Sequence, residues 1–130
     1  MPLVRIDVIQ DRWSDDRLSD LAQTVQDVMV DVFAAPERDR YQVISEHRPG
    51  RIIALDTGLG FERSDDVVIV QVTQQGRNTA QKTALYAALA SRLHDSVGLD
   101  PKDLVVSVVE NTQADWSFGY GRAQFLEGDL

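Results

Sequence analysis

Residues 2–47 and 67–110 follow one pattern twice: an apolar strand, an amphipathic helix and a returning strand. In the first copy Val4, Ile6 and Val8 alternate with Arg5 and Asp7, the period of a half-buried strand. Ser14 then offers a helix cap. Leu18, Leu21, Ala22, Val25, Val28, Met29, Val32 and Phe33 follow at helical spacing, and Pro36 is expected to stop the helix. YQVISEH, Tyr41 to His47, reads as the returning strand. In the second copy VVIVQVT, Val67 to Thr73, is an almost continuous apolar run, as expected of a central strand buried on both faces. Thr79 is expected to cap a helix carrying Ala84, Leu85, Ala88, Leu89 and Leu93, and Gly98 to end it. LVVSVVE, Leu104 to Glu110, returns the chain. The junctions match as well: PERDRYQVISE and PKDLVVSVVE share a proline, an aspartate, an apolar strand and a closing glutamate.

A duplicated β-α-β unit leaves few topologies open. The strands of each unit should be parallel, joined by a right-handed crossover. Both helices then cover one face of a four-stranded mixed sheet, an α+β fold, and the other face needs a cover such as a second subunit. Between the copies, IIALD is a candidate for a short extra strand, and DTGLG supplies turn chemistry. The tail, residues 111–130, holds Trp116, Phe118, Tyr120 and Phe125, too many aromatics to hang in solvent. It is expected to pack on the sheet or on a neighbouring subunit. At 130 residues the whole chain, 1–130, reads as a single domain.

Composition narrows the function. With no cysteine, disulfides, thiolate metal sites and cysteine nucleophiles are excluded. His47 and His94 have no metal-ligand spacing and read as structural or surface residues, so no metal site is expected. The net charge is −8 and the basic residues are scattered, which argues against nucleic acid and anionic membranes as partners. No apolar run approaches the ~20 residues of a membrane span. No pattern of a secretory signal opens the chain, and a cytoplasmic location is expected. GLGFER and GYGRAQ read as turns rather than phosphate loops.

The chemistry is suggested by the opening MPLVRID. Removal of Met1 would leave Pro2 as a secondary amine on the end of a strand. A free α-amino group titrates at roughly 7.7–8.0, so such a nitrogen could serve as acid, base or nucleophile near neutrality. Asp39 taken alone reads as a turn aspartate, like Asp103 at the matching place of the second copy. Arg77, after a buried strand and before a helix, is placed to bind an anion.

The proline after Met1, the two β-α-β units and the length together resemble the tautomerase superfamily. PERDRYQ, DTGLGFERS, ALYAALA and ENTQADWSFGYGRAQF are similar to its malonate semialdehyde decarboxylase branch, over nearly the whole chain. That resemblance implies a homotrimer that needs no cofactor and acts on a small anionic keto acid, with decarboxylase and keto–enol tautomerase activity. It implies that Pro2 is the catalytic amine, that Asp39 positions a water or the amine, and that Arg77 binds the substrate carboxylate. Trp116, Phe118, Phe125 and Leu130 would form an apolar wall. Where that branch has Arg-x-Arg, this chain has Gln75-Gly76-Arg77, which makes Gln75 a candidate substrate contact in place of a cation. Two alternatives stand beside this expectation. One is a hydratase or dehalogenase acting on 3-haloacrylate-type acids, with Asp39 activating water. The other is a non-catalytic trimeric binding protein, which a retained Met1 would favour.

Overall fold

The computed structural model describes residues 2–130. Val4, Ile6 and Val8 turn the same way from β1 (Leu3–Ile9) and are almost fully buried. They meet α1 (Asp15–Asp31), whose first turn is closed by Ser14, its Oγ accepting a hydrogen bond from the Arg17 N–H at 3.2 Å. The helix is shorter than its apolar spacing predicts. It ends at Asp31, and Ala34 at φ 55° turns the chain while the Ala35 N–H bonds back to the Met29 carbonyl. Phe33, expected in the last turn, therefore follows the helix, yet it remains fully buried.

β2 (Tyr41–His47) returns parallel to β1, with Leu3 opposite Tyr41. The second copy runs through β3 (Val68–Gln75), α2 (Thr79–Val97) and β4 (Leu104–Asn111), and β4 lies parallel to β3. Asn78 caps α2 where Thr79 was expected. Its side chain accepts from the Gln81 N–H at 2.8 Å, and the Gln81 side chain accepts from the Asn78 N–H at 3.1 Å. Asparagine is the stronger cap, and only from position 78 does a glutamine fall three residues later to complete the reciprocal pair. Gly98 ends the helix at φ 71°, a conformation that costs glycine nothing.

The copies join through β1 and β3, which pair antiparallel, giving the sheet order β2-β1-β3-β4. The mixed sheet with both long helices on one face is thus the arrangement that the duplication predicts. Leu21, Val25 and Met29 of α1 and Leu85, Leu89 and Leu93 of α2 pack with Val68, Val70 and Val72 into one core. Full burial of each such side chain contributes about 1.5–3 kcal/mol. Among the described residues, no helix is long and apolar enough to cross a membrane.

IIALD does not form a strand. A strand needs a neighbour's N–H and C=O groups, and this stretch pairs with no strand of its own chain. Ile53, Leu55 and Leu59 are instead 84%, 81% and 72% exposed, an apolar arm standing off the domain. Its base is tied down at Ser64, whose N–H and Oγ both donate to the buried Asp103 carboxylate at 2.6 Å. Asp103 is therefore a structural clamp. The tail folds into a short helix, α3 (Gln124–Glu127), beyond β4.

Candidate active site

Alternation along β3 decides what reaches the site. Val68, Val70 and Val72 face the helices, and Gln74 continues that buried row at 1% exposure. Gln75 points to the opposite face. Because Leu3 lies opposite Thr73 in the antiparallel pair, the same register sets Pro2 opposite Gln74. Pro2 is itself buried.

The Gln74 amide bridges two of the predicted site residues. Oriented by its surroundings, its nitrogen lies 2.9 Å from the Pro2 nitrogen, and its oxygen accepts from Arg77 Nη2 at 2.8 Å and Nη1 at 3.3 Å. Main-chain carbonyls hold the rest of the guanidinium: Phe33 O at 2.6 Å from Nε, Gln75 O and Gly76 O at 2.9 and 3.1 Å from Nη1, and Ala34 O at 3.5 Å from Nη2. The positive φ of Gly76, 56°, helps to bend the chain back so that these carbonyls converge. The Phe33 ring lies 5.4 Å from the guanidinium carbon. Burial lowers the Arg77 pKa from its ordinary value, but an arginine keeps its charge in any protein setting. Among the described residues no carboxylate pairs with it. The outcome is a fixed and uncompensated cation.

Arg77 opens on a cavity of about 330 Å³, lined by Pro36, Asp39, Gln75, Arg77, Phe125 and Leu130. Five residues singled out in the sequence thus meet in one place, drawn from the α1–β2 connection, the end of β3 and the tail. Asp39 is half-buried, its N–H bonded to the Pro36 carbonyl at 3.0 Å. Gln75 brings a buried Oε1 that has no hydrogen-bond partner among the described residues. Such an atom costs about 1–3 kcal/mol when left dry, so the site is built to receive a donor there. Pro2 stands behind this lining, connected to it through Gln74 and Arg77.

Trp116, Phe118 and Tyr41 back the wall, whereas Tyr120, expected to pack with the tail, is fully exposed at the turn it forms with φ 57°. Phe118 packs edge-on to Phe125 with ring centres 5.6 Å apart, and it stacks on Trp116 at 5.3 Å and on Tyr41 at 5.6 Å. Trp116 is anchored by its Nε1–H donating to Asn111 Oδ1 at 3.0 Å. Within one chain, Phe125 and Leu130 touch the cavity, while Trp116 and Phe118 hold Phe125 in place. The other arginines are less suited to an anion. Arg122 is paired with Glu127 and Asp129, and Arg5 is exposed on the face of β1 away from the helices.

Gln74 is the residue that sequence reading misses. Its signal is present nonetheless: a glutamine continuing the Val68–Val70–Val72 row must be buried, and a buried amide must find partners. Which partners it finds depends on the β1–β3 register, which no local pattern reveals.

A family model described as "tautomerase enzyme" matches residues 39–119, and a second of the same description matches residues 2–62. The chain is 45% identical to the probable tautomerase YrdN of Bacillus subtilis (strain 168) over 130 residues, the full length of both. It superposes on malonate semialdehyde decarboxylase, a protein with decarboxylase and hydratase activities, with a TM-score of 0.94 and 44% identity over 98% of each chain. A fused 4-OT symmetric trimer, 21% identical with a TM-score of 0.77 over 97% of this chain and 98% of that one, shares the fold. Matches that run from Pro2 through the aromatic tail, over a sheet built from two β-α-β copies, leave one conclusion: the chain belongs to the tautomerase family.

Proposed function

We propose that this protein is a cofactor-free, homotrimeric enzyme that uses the amine of Pro2 on a small keto acid, decarboxylating malonate semialdehyde or a close analogue and interconverting keto and enol forms. One observation carries the reading: Asp39, Gln75, Arg77, Phe125 and Leu130 converge on a cavity sized for a small acid, and Arg77 is linked through Gln74 to the buried Pro2 nitrogen behind that lining. The likeness to malonate semialdehyde decarboxylase supports the reaction class. The trimer among the structural relatives, together with the exposed Ile53, Leu55 and Leu59, supports the assembly.

In this reading Arg77 takes the substrate carboxylate by exchanging its longest contact, the 3.5 Å bond to Ala34 O, for a carboxylate oxygen. The carboxylate is then fixed relative to the carbonyl. With Pro2 protonated, its N–H stabilises the enolate that forms as CO2 leaves, and the apolar Phe125 and Leu130 wall accommodates neutral CO2 better than the carboxylate it came from. With Pro2 neutral, the nitrogen removes a proton from carbon and returns it elsewhere, which is tautomerisation. The test is Pro2→Ala, assayed for acetaldehyde release and for phenylenolpyruvate ketonisation; unchanged rates in both would sink the reading.

Gln75 tunes the substrate. It stands where the decarboxylase branch has an arginine, so the site holds a carboxylate with one cation. Gln75→Arg removes the orphaned Oε1 and adds a charge-assisted donor, about twice as strong as a neutral one. The KM for malonate semialdehyde should then fall by about tenfold, the effect of ~1.4 kcal/mol. An unchanged KM in steady-state assays would place the carboxylate elsewhere.

A second reading rests on Asp39, a cavity carboxylate with no ion pair among the described residues. Such a group can activate water for addition to an unsaturated three-carbon acid. Release of halide from 3-haloacrylates, lost in Asp39→Asn, would favour it.

A further inference from the structure

The geometry points to Gln74 as a positioning residue that favours the neutral, proton-accepting form of the Pro2 amine, so that of the two proposed reactions proton transfer is the one the resting site is set to perform, and decarboxylation first requires Pro2 to take up a proton against this bias. This rests on the reading that Pro2 is the reactive amine.

The inference follows from counting donors. A proline nitrogen inside a peptide bond has no lone pair to offer, so the 2.9 Å contact with Gln74 becomes a hydrogen bond only once Met1 is gone. A neutral secondary amine then accepts from the Gln74 NH2. The opposite end of the same amide is claimed by Arg77, which has only donors. Protonation of Pro2 turns its lone pair into a further N–H and sets donor against donor. Rotating the amide would offer Oε1 to Pro2 but would point the NH2 at the guanidinium. Either way one hydrogen bond is lost inside a site where water does not replace it, because Gln74 is 1% exposed. The charge of Arg77 is thus transmitted to Pro2 through the orientation of one amide, in addition to acting directly through space.

Among the described residues, the charged groups of the neighbouring elements are engaged or face elsewhere. Asp39 and Arg40 precede β2; Asp39 lines the cavity, and Arg40 is held on Gln23 and Gln42. Glu110, opposite Gln74 on β4, is exposed. The buried faces of α1 and α2 carry no Asp, Glu, Lys or Arg. In the tail, Arg122 is neutralised by Glu127 and Asp129.

Gln74→Glu keeps the size of the side chain and its bond to Arg77 but supplies a second acceptor to Pro2. Protein lacking Met1 and labelled with 15N-proline should show the Pro2 nitrogen titrating about 1–3 pH units higher in Gln74→Glu than in the wild type. Ketonisation at neutral pH should fall, approaching tenfold per unit once the midpoint lies above the assay pH, with the limb of its pH–rate profile moving by the same amount as the midpoint. The wild type supplies an independent reading. Its Gln74 side-chain NH2 resonances should shift with the midpoint of Pro2, since the bond they make exists in only one of its states. A Pro2 midpoint unmoved by Gln74→Glu, or Gln74 resonances indifferent to Pro2 titration, would overturn the inference. Neither readout requires turnover. A Pro2 that titrates as described, in a protein without keto-acid activity, would refute the proposed function and leave only the coupling of Gln74 to the Pro2 amine standing.

Discussion

Arg77→Ala is expected to lower kcat/KM for a keto acid by about 100-fold or more, with KM raised and kcat reduced together. The double effect follows from geometry. Arg77 is the cation that faces the cavity, and it is pinned by Phe33 O, Gln75 O and Gly76 O, so in the proposed mechanism it would both bind and aim the carboxylate. Its removal also frees the Gln74 amide, so the change reaches Pro2. Arg77→Lys should rescue poorly. A lysine has one point of charge and cannot reach these carbonyls at once while leaving a donor for substrate. Thermal unfolding of the same variants separates lost folding from lost chemistry. A kcat/KM near the wild-type value in a folded Arg77→Ala protein would show that the carboxylate is held elsewhere.

Pro2→Ala should reduce both decarboxylation and ketonisation by about 10²–10⁴-fold, the usual contribution of a positioned acid or base. Alanine after Met1 removal still has an amine, but a primary one that rotates about its bond to the strand. The ring of proline fixes the nitrogen in line with β1, opposite Gln74, where the 2.9 Å contact can form. The loss should therefore fall mainly on kcat, and the binding of a non-reacting acid should change little. Assays with and without such a competitive acid distinguish the two. Equal losses in its affinity and in turnover would mean that Pro2 shapes the pocket rather than reacting in it.

The duplication made most of the fold legible. Alternation gave β1 its bounds, and the apolar row beginning at Val67 marked β3 as central, but within the chain only one face of β3 is buried, and Gln71 on the other is exposed, because both helices pack on the same side of the sheet. Local competition explains the errors. Asn78 outranks Thr79 as a cap because of Gln81, and Ala34 turns the chain before Pro36 can stop it. IIALD has the apolar content of a strand, but strand formation is a property of two segments, and its own chain offers no second one. At the site, Asp39 and Asp103 look alike in sequence. They differ in what lies nearby: the Ser64 N–H and Oγ for Asp103, and an open cavity for Asp39. Gln74 and Gln75 were separable by strand period alone, yet the partner of Gln74 comes from 72 positions away and is fixed by strand pairing.

All of this chemistry requires that the Pro2 nitrogen be a free amine. Intact mass of the protein as it is made in its own cell, with sequencing of its first residues, tests that requirement directly. The expected result is a mass lower than the full chain by one methionine and a sequence beginning Pro-Leu-Val. A full-length mass with Met1 in place would contradict it, since the nitrogen would be an amide without basicity, and a non-catalytic binding role would then be the better account.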